Sequence, residues 1–233
     1  MSVLSIVTVR KGSKGLKDKC IHHIGDKMVF QYTLEYSLKI ARHIDNTTLV
    51  TSDSTIVGDF CKAWHIPFIK RAPELCSEKA EIEDVIYDAY KRTQREFDYI
   101  SLLYGNVPTR YPLRFIEAYN FLEHNKDYDC VLSMQKTGKF NPSWMFDYTD
   151  KTLPKKKHES ARRQELQEKM IHDGHTILFR PKHFLEFMES KKEKEYMYEY
   201  LGRKIKPQVH ENIVVDIDDY NDLVIAKAVI GCG

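Results

Sequence analysis

The chain has 233 residues, 42% of them hydrophobic and 30% charged, which is ample for one α/β domain with a full core. Its formal net charge of +2 supplies no global field for nucleic acid. No apolar run is long enough to span a bilayer and the N-terminus lacks a signal-peptide h-region, so a cytoplasmic protein without a membrane partner is expected.

Taken in order, strand-like and helix-like stretches alternate. A β-rich run over residues 2–9 leads into Arg10-Lys11-Gly12-Ser13-Lys14-Gly15-Leu16-Lys17-Asp18-Lys19. Phe30, Leu34, Leu38 and Ala41 then recur at helical spacing, and residues 47–53 read as a strand with a polar tip at Asp53. Ser54 is positioned to cap a helix reaching about Trp64, residues 66–69 form a short strand, and Ile82, Val85, Ile86 and Ala89 mark another helix. Residues 99–103 are a buried strand, followed by a turn-rich loop over 104–110, a helix carrying Phe115, Tyr119 and Leu122, and a strand over 129–134. This is the rhythm of a doubly wound, mostly parallel sheet.

The rhythm breaks between Thr137 and about Asp173, where Trp144, Phe146, the run Lys155-Lys156-Lys157 and Arg162-Arg163 show no sustained period. A long irregular stretch inside a compact domain is usually functional or a packing arm, and its aromatics suggest burial against a second subunit. A strand over 176–179, a helix opened by Pro181 and a charged, exposed segment from Lys191 to Lys204 follow. The cysteines Cys20, Cys61, Cys76, Cys130 and Cys232 are scattered without a CxxC pair, which fits reduced thiols better than a disulfide frame or zinc site.

Two stretches carry chemistry. The glycines of the first loop bring backbone N–H groups close to oxyanions, Ser13 adds a hydroxyl, and the surrounding cations balance polyphosphate charge. In open α/β sheets a loop directly after the first strand lies where ligands bind. Near the other end, Asp216 and Asp218 close an apolar run over 212–216 that reads as a strand. On an extended backbone they point to one side and can share a hard cation such as Mg²⁺. The competing reading is that Asp218 or Asp219 caps the last helix, which carries Leu223, Ala226 and Ile230 on one face.

Together these segments resemble the acylneuraminate cytidylyltransferases, the CMP-sialic acid synthetases and their relatives for other nonulosonic acids. Residues 10–19 look like that family's nucleotide loop, Thr51-Ser52-Asp53-Ser54 like its second-strand tip and Arg71-Ala72-Pro73-Glu74-Leu75 like a further motif. Arg162-Arg163-Gln164, Asp173-Gly174 and Asp216-Ile217-Asp218 complete the set. The resemblance implies one Rossmann-like nucleotidyltransferase domain over 1–233, with 137–173 as a dimerisation insertion of a homodimer. It also implies a reaction: CTP gives CMP to the anomeric hydroxyl of a 2-keto-3-deoxy sugar acid and pyrophosphate is released. Arg10, Gly12, Ser13, Lys14, Gly15, Lys19, Asp53 and Arg71 would surround the nucleotide, and Arg10, Lys19, Asp216 and Asp218 would be the catalytic set, with Mg²⁺ on the two aspartates. Tyr104, Asn106, Arg110, Lys139, Arg163 and Gln164 would face the sugar acid, with Arg163 or Lys139 meeting its carboxylate.

The chain departs from the family in places. Cys20 stands where asparagine is usual, Asp173 replaces another asparagine, and residues 104–110 share only the proline and final arginine with the family's loop. The acceptor therefore need not be N-acetylneuraminate, and legionaminate, pseudaminate, an octulosonate or an unusual phosphonate-type acid are all open. A metal-dependent glycosyltransferase also uses Asp-x-Asp on a nucleotide-binding domain, and a noncatalytic nucleotide-binding relative would tolerate an altered sugar loop. His22, His23, His172 and His175 are left out of the catalytic set, with His175 the first to test.

Overall fold

The computed structural model describes residues 1–13, 15–77, 79–148 and 162–231. Strand β1 (Val3–Val9) leads through the glycine loop to a short hairpin, β2 (His23–Ile24) and β3 (Lys27–Met28), and into helix α1 (Val29–Ile40). There follow β4 (Asn46–Ser52), α2 (Thr55–Ala63), β5 (Phe68–Lys70), α3 (Ile82–Thr93), β6 (Tyr99–Tyr104), α4 (Pro112–His124) and β7 (Cys130–Lys136). The chain ends with β8 (Met170–Phe179), α5 (Pro181–Ser190), β9 (Ile205–Val209) and α6 (Tyr220–Gly231).

Seven strands form one sheet in the order β5-β4-β1-β6-β8-β7-β9. Only β8 runs against the others. Alternation along β1 shows why helices must cover both faces. Val3, Val7 and Val9 join Phe30 and Leu34 of α1, Val57 of α2 and Phe115 of α4, while Leu4 and Ile6 join Ile86 of α3 and Phe184 of α5. A sheet buried on both sides reads as a nearly continuous apolar run, and β1 is buried throughout. The expected doubly wound, mostly parallel α/β architecture is what the chain adopts. Helix α6 packs with the β2–β3 hairpin in a third cluster containing Ile24, Val29, Val215, Ile217 and Leu223.

The last third of the sheet departs from expectation. Strand β8 starts at Met170, inside the stretch read as irregular, because its first residues pair with Lys136, Gln135 and Met134 of β7. Strand β9 follows the charged segment, within which Tyr200 and Leu201 are buried. It contains Pro207, which an edge strand accommodates because one side of its backbone has no partner. Residues 212–216, read as an apolar strand, join no sheet, nor do Ile217 and Asp218. They run extended along the loop after β6, with Val215 N–H donating to Thr109 Oγ1 at 2.7 Å and Ile217 N–H to the Asn106 carbonyl at 3.0 Å. Ser54 does stand at the N-cap of α2, but its side chain makes no capping bond.

The loop after β6 is held from within by Arg110. Its guanidinium donates to the carbonyls of Tyr104, Val107, Gly174 and His175 and to Thr33 Oγ1, at 2.5 to 3.1 Å. Burial pushes its pKa down to about 10, so it stays charged at neutral pH. A cation so engaged is a structural clamp, which corrects its expected placement against the sugar acid. Arg110→Met should lower the unfolding free energy by at least about 3 kcal/mol, because several buried carbonyls lose their donor together. Urea unfolding would measure it, and a loss below about 1 kcal/mol would contradict the clamp.

Candidate active site

The carboxyl ends of β1, β5 and β6 open onto a cleft of about 410 Å³ whose wall includes Arg10, Ser13, Gly15 and Lys19 from the first loop. Arg71 follows β5, Tyr104 and Asn106 come from the end of β6, and Asp218 arrives from the C-terminal segment. Residues some two hundred positions apart meet because the loop docks on the backbone at Asp218. Leu16 N–H donates to the Asp218 carbonyl at 2.9 Å. A Cβ on Gly15 would lie 2.3 Å from that same oxygen, so only glycine permits the approach.

The cations are arranged around this junction. Lys19 Nζ meets Asp218 Oδ1 at 2.5 Å, and Arg10 Nη1 donates to the Ser77 carbonyl at 3.3 Å. Arg71 is 5% exposed; its Nη2 donates to the Thr51 carbonyl at 3.2 Å, and its buried Nε has no partner among the described residues. A buried, unpaired guanidinium nitrogen on the wall of a cleft is ready for an anionic ligand. Asp53 is placed behind the loop instead: its Oδ1 accepts Lys11 N–H at 2.8 Å. The Gly12 N–H is taken by Asp18 Oδ1 at 3.0 Å, so Asp53 and Asp18 shape the loop. Lys14 lies outside the described residues.

The carboxylates separate into two roles. Asp219 Oδ1 accepts the N–H groups of Asn221 and Asp222, and Asp222 Oδ2 accepts those of Asp218 and Asp219. That reciprocal pair caps α6, which frees Asp216 and Asp218 from the capping role. Asp216 keeps one side to solvent, yet its carboxyl is pushed up to about 6, first by burial and then by the neighbouring Asp218 charge, against the pull of Lys19 and Arg110. Among the described residues no group of three or more His, Cys, Asp or Glu could hold a metal ion alone. Two repelling carboxylates beside an anion cleft do fit Mg²⁺, which commonly takes one or two carboxylates and completes its shell with phosphate oxygens and water.

The expected sugar-side residues are not brought to one place. Tyr104 and Asn106 line the cleft. Gln164 borders a separate cavity with Lys136 and Lys169, Lys139 Nζ lies 5.0 Å over the Phe140 ring, and the side chain of Arg163 lies outside the described residues. Cys20 lines the cleft, and burial pushes its thiol up to about 12, leaving it neutral. His175 is a core group: its Nε2 accepts Tyr111 N–H at 2.8 Å, and burial pushes its pKa down to about 2. Sequence reasoning missed Asp222, although an acid three residues after Asp219 is a capping-box spacing; for Thr109 no local signal existed.

Residues 4–219 match the family described as Cytidylyltransferase. The N-acylneuraminate cytidylyltransferase of Escherichia coli is 28% identical over 137 residues, covering 59% of this chain and 32% of that protein. That of Streptococcus agalactiae serotype III is 23% identical over 227 residues, covering 96% and 52%. The chain thus spans between a third and about half of the length of these relatives. A CMP:2-keto-3-deoxy-manno-octonic acid synthetase structure complexed with CTP superposes with a TM-score of 0.75 at 14% identity over 100% of this chain and 99% of that one. A cytidylyltransferase from Leptospira borgpetersenii gives 0.66 at 16% identity, over 100% and 88%. At such identities both show the fold, that of nucleotidyltransferases. Among the described residues no helix is long and apolar enough to cross a membrane.

A raised carboxyl pKa makes the folded state the better proton binder between the ordinary value near 3.8 and about 6. The stability that Asp216 removes by ionising is therefore fully lost above about pH 6 and retained below pH 4. In chelator and without nucleotide, Asp216→Asn should stabilise the fold at pH 8 by about 1 kcal/mol, a figure discounted for solvent screening, and change little at pH 3.5. Denaturant unfolding at the two pH values would check the sign; destabilisation at pH 8 would refute it.

Proposed function

The chain belongs to the cytidylyltransferase family, and on that premise we propose that it transfers CMP from CTP to the anomeric hydroxyl of a 2-keto-3-deoxy sugar acid. The convergence of Arg10, Ser13, Lys19 and Arg71 with Asp218 on one cleft, with Asp216 near enough to Asp218 and Lys19 to feel their charges, carries this reading. Arg10 and Lys19 face the triphosphate, Arg71 offers its unpaired Nε, and Asp216 with Asp218 would hold Mg²⁺. Bound there, the ion would supply charge neutralisation at the phosphate oxygens. The hydroxyl oxygen forms a bond to the α-phosphorus and its proton passes to solvent, while the bond to the β-phosphate breaks and its electron pair leaves with pyrophosphate. The chain's contribution is to align the reactants and to meet charge on the triphosphate with fixed cations. CTP as the donor supports a location inside the cell, in keeping with the cytoplasm.

The family assignment sets aside the glycosyltransferase reading, and the assembled cation and carboxylate sets speak against a noncatalytic relative. For the acceptor, the altered loop from Tyr104 keeps N-acetylneuraminate, legionaminate, pseudaminate and octulosonate in one class, with Lys139 or Arg163 as the carboxylate partner. A panel of these acids with CTP and Mg²⁺ should release pyrophosphate with at least one. Asp216→Asn should slow that release at least tenfold, a loss of about 1.4 kcal/mol of transition-state stabilisation. Asp219→Asn should stay active, since asparagine caps about as well as aspartate. CTP should also raise the melting temperature more than ATP or GTP at equal concentration. Equal protection by a purine triphosphate would reject the cytidine assignment.

We also propose a homodimer. Phe140 and Tyr148 are 63% and 96% exposed, and Met170 and Ile171, at the start of β8 beside the end of β7, are about half exposed. Apolar side chains gathered at one end of a sheet suit a subunit interface. Sedimentation should give a dimer at micromolar concentration, and Phe140→Ser with Tyr148→Ser should weaken it at least about tenfold, by removing two aromatic anchors. A wild-type monomer would contradict it.

A further inference from the structure

Asn106 is bound more closely to the carboxylate segment than a residue that only walls the cleft would be. It is buried, and its backbone carbonyl accepts Ile217 N–H at 3.0 Å. Its side-chain Nδ2 returns a bond to the Ile217 carbonyl at 3.0 Å and donates a close one to Asp216 Oδ1. An amide nitrogen has two hydrogens, and here both are committed to the segment that carries the aspartate pair. What remains to Asn106 for an acceptor is its amide oxygen, which can accept but not donate.

The other carboxylate oxygen lies toward Gly174. Gly174, at φ +75°, sits where an added Cβ would stand 3.9 Å from Asp216 Oδ2 and 3.2 Å from Val107. Its carbonyl is held by Arg110 Nη2 at 3.0 Å. Asp216 thus has one oxygen tied to a fixed amide donor and the other beside a glycine that adds no side chain.

We propose that Asn106 is a positioning residue for Asp216, holding Oδ1 so that Oδ2 remains directed to a divalent cation. This rests on the cation reading of Asp216 made above. Asp216 lies on an extended segment outside the sheet, so no strand ladder fixes its side chain. A donor on one oxygen sets the plane of the carboxylate before a ligand arrives, which lowers the entropy lost on binding. Outer partners of ligating groups commonly change metal affinity by about 10–100-fold when removed.

The test uses Mn²⁺ as the probe, titrated by electron paramagnetic resonance into the intact chain with saturating CTP. Asn106→Leu keeps approximate size and the main-chain bond to Ile217 while removing the amide. It should weaken Mn²⁺ binding about tenfold or more, and Asn106→Thr, which retains a hydroxyl donor, should recover part of the loss. The KM for the acceptor found by the panel should change less than about twofold. Unchanged Mn²⁺ affinity in Asn106→Leu would overturn the proposal, and a raised acceptor KM beside it would return Asn106 to the sugar side. If the leucine variant does not fold, Asn106→Ala carries the same comparison. Asp216→Asn is titrated in parallel. Were it to bind Mn²⁺ as tightly as the wild type, the cation would not sit on Asp216 and the proposal would fall. Thermal protection by CTP in the same samples reports separately whether the nucleotide reading stands.

Discussion

The site depends on one partly buried cation. Arg110 gathers carbonyls from the end of β6 and the loop after it and from the middle of β8, together with the Thr33 hydroxyl of α1. These groups have little water to turn to, since Val107, Thr33 and His175 are completely buried, and an unpaired buried carbonyl costs more than a hydrogen bond returns. Lysine could not replace it. A compact ammonium presents three donors from one point, whereas the planar guanidinium spreads its N–H groups over a span that reaches three elements. Desolvation of that charge is partly offset by Asp216, Asp173 and the Tyr36 ring, whose centroid is 5.7 Å from the guanidinium carbon.

From this clamp a chain of contacts leads outward. The loop it fixes offers Thr109 Oγ1 and the Asn106 carbonyl to alternate N–H groups of residues 215–217, and those two bonds hold the segment where a sheet partner would otherwise be required. Asp218 then presents its carbonyl to Leu16, so the glycine loop is aligned by the C-terminal segment as well as by β1. The cations and the carboxylates of the cleft are therefore not independent groups. Each is placed by the backbone that carries the other, and the Lys19–Asp218 pair closes the arrangement.

How much of this was legible in the sequence follows from the range of the interactions. The alternation of strand and helix, the loop over 10–19 and the carboxylate pair are local patterns, and each was visible. Strand β9 was hidden because Pro207 argues against a strand in isolation; only its edge position, a tertiary fact, permits it. Residues 212–216 carry a strand's apolar pattern, yet their hydrogen bonds go to a loop and a side chain, which periodicity does not report. The resemblance implied that Arg110 faces the sugar acid, as one residue of a loop near the strand ends. Its structural role depends on its bonds to the carbonyls of Gly174 and His175, more than sixty positions away.

The altered loop can be understood in the same terms. Replacing a family's usual residues over 104–110 would weaken a site if those residues only touched substrate. Here the loop has two faces with different tasks. Its inner face must supply carbonyls to Arg110 and an acceptor to Ile217, and this is largely backbone work that many sequences can perform. Its outer face, where Tyr104 meets the cleft, is free to vary with what the cleft receives. Sharing the final arginine with the family's loop is what that division requires, since the guanidinium ties the loop's carbonyls to β8 and α1. Change in the loop's side chains therefore leaves intact the backbone framework that holds the aspartates.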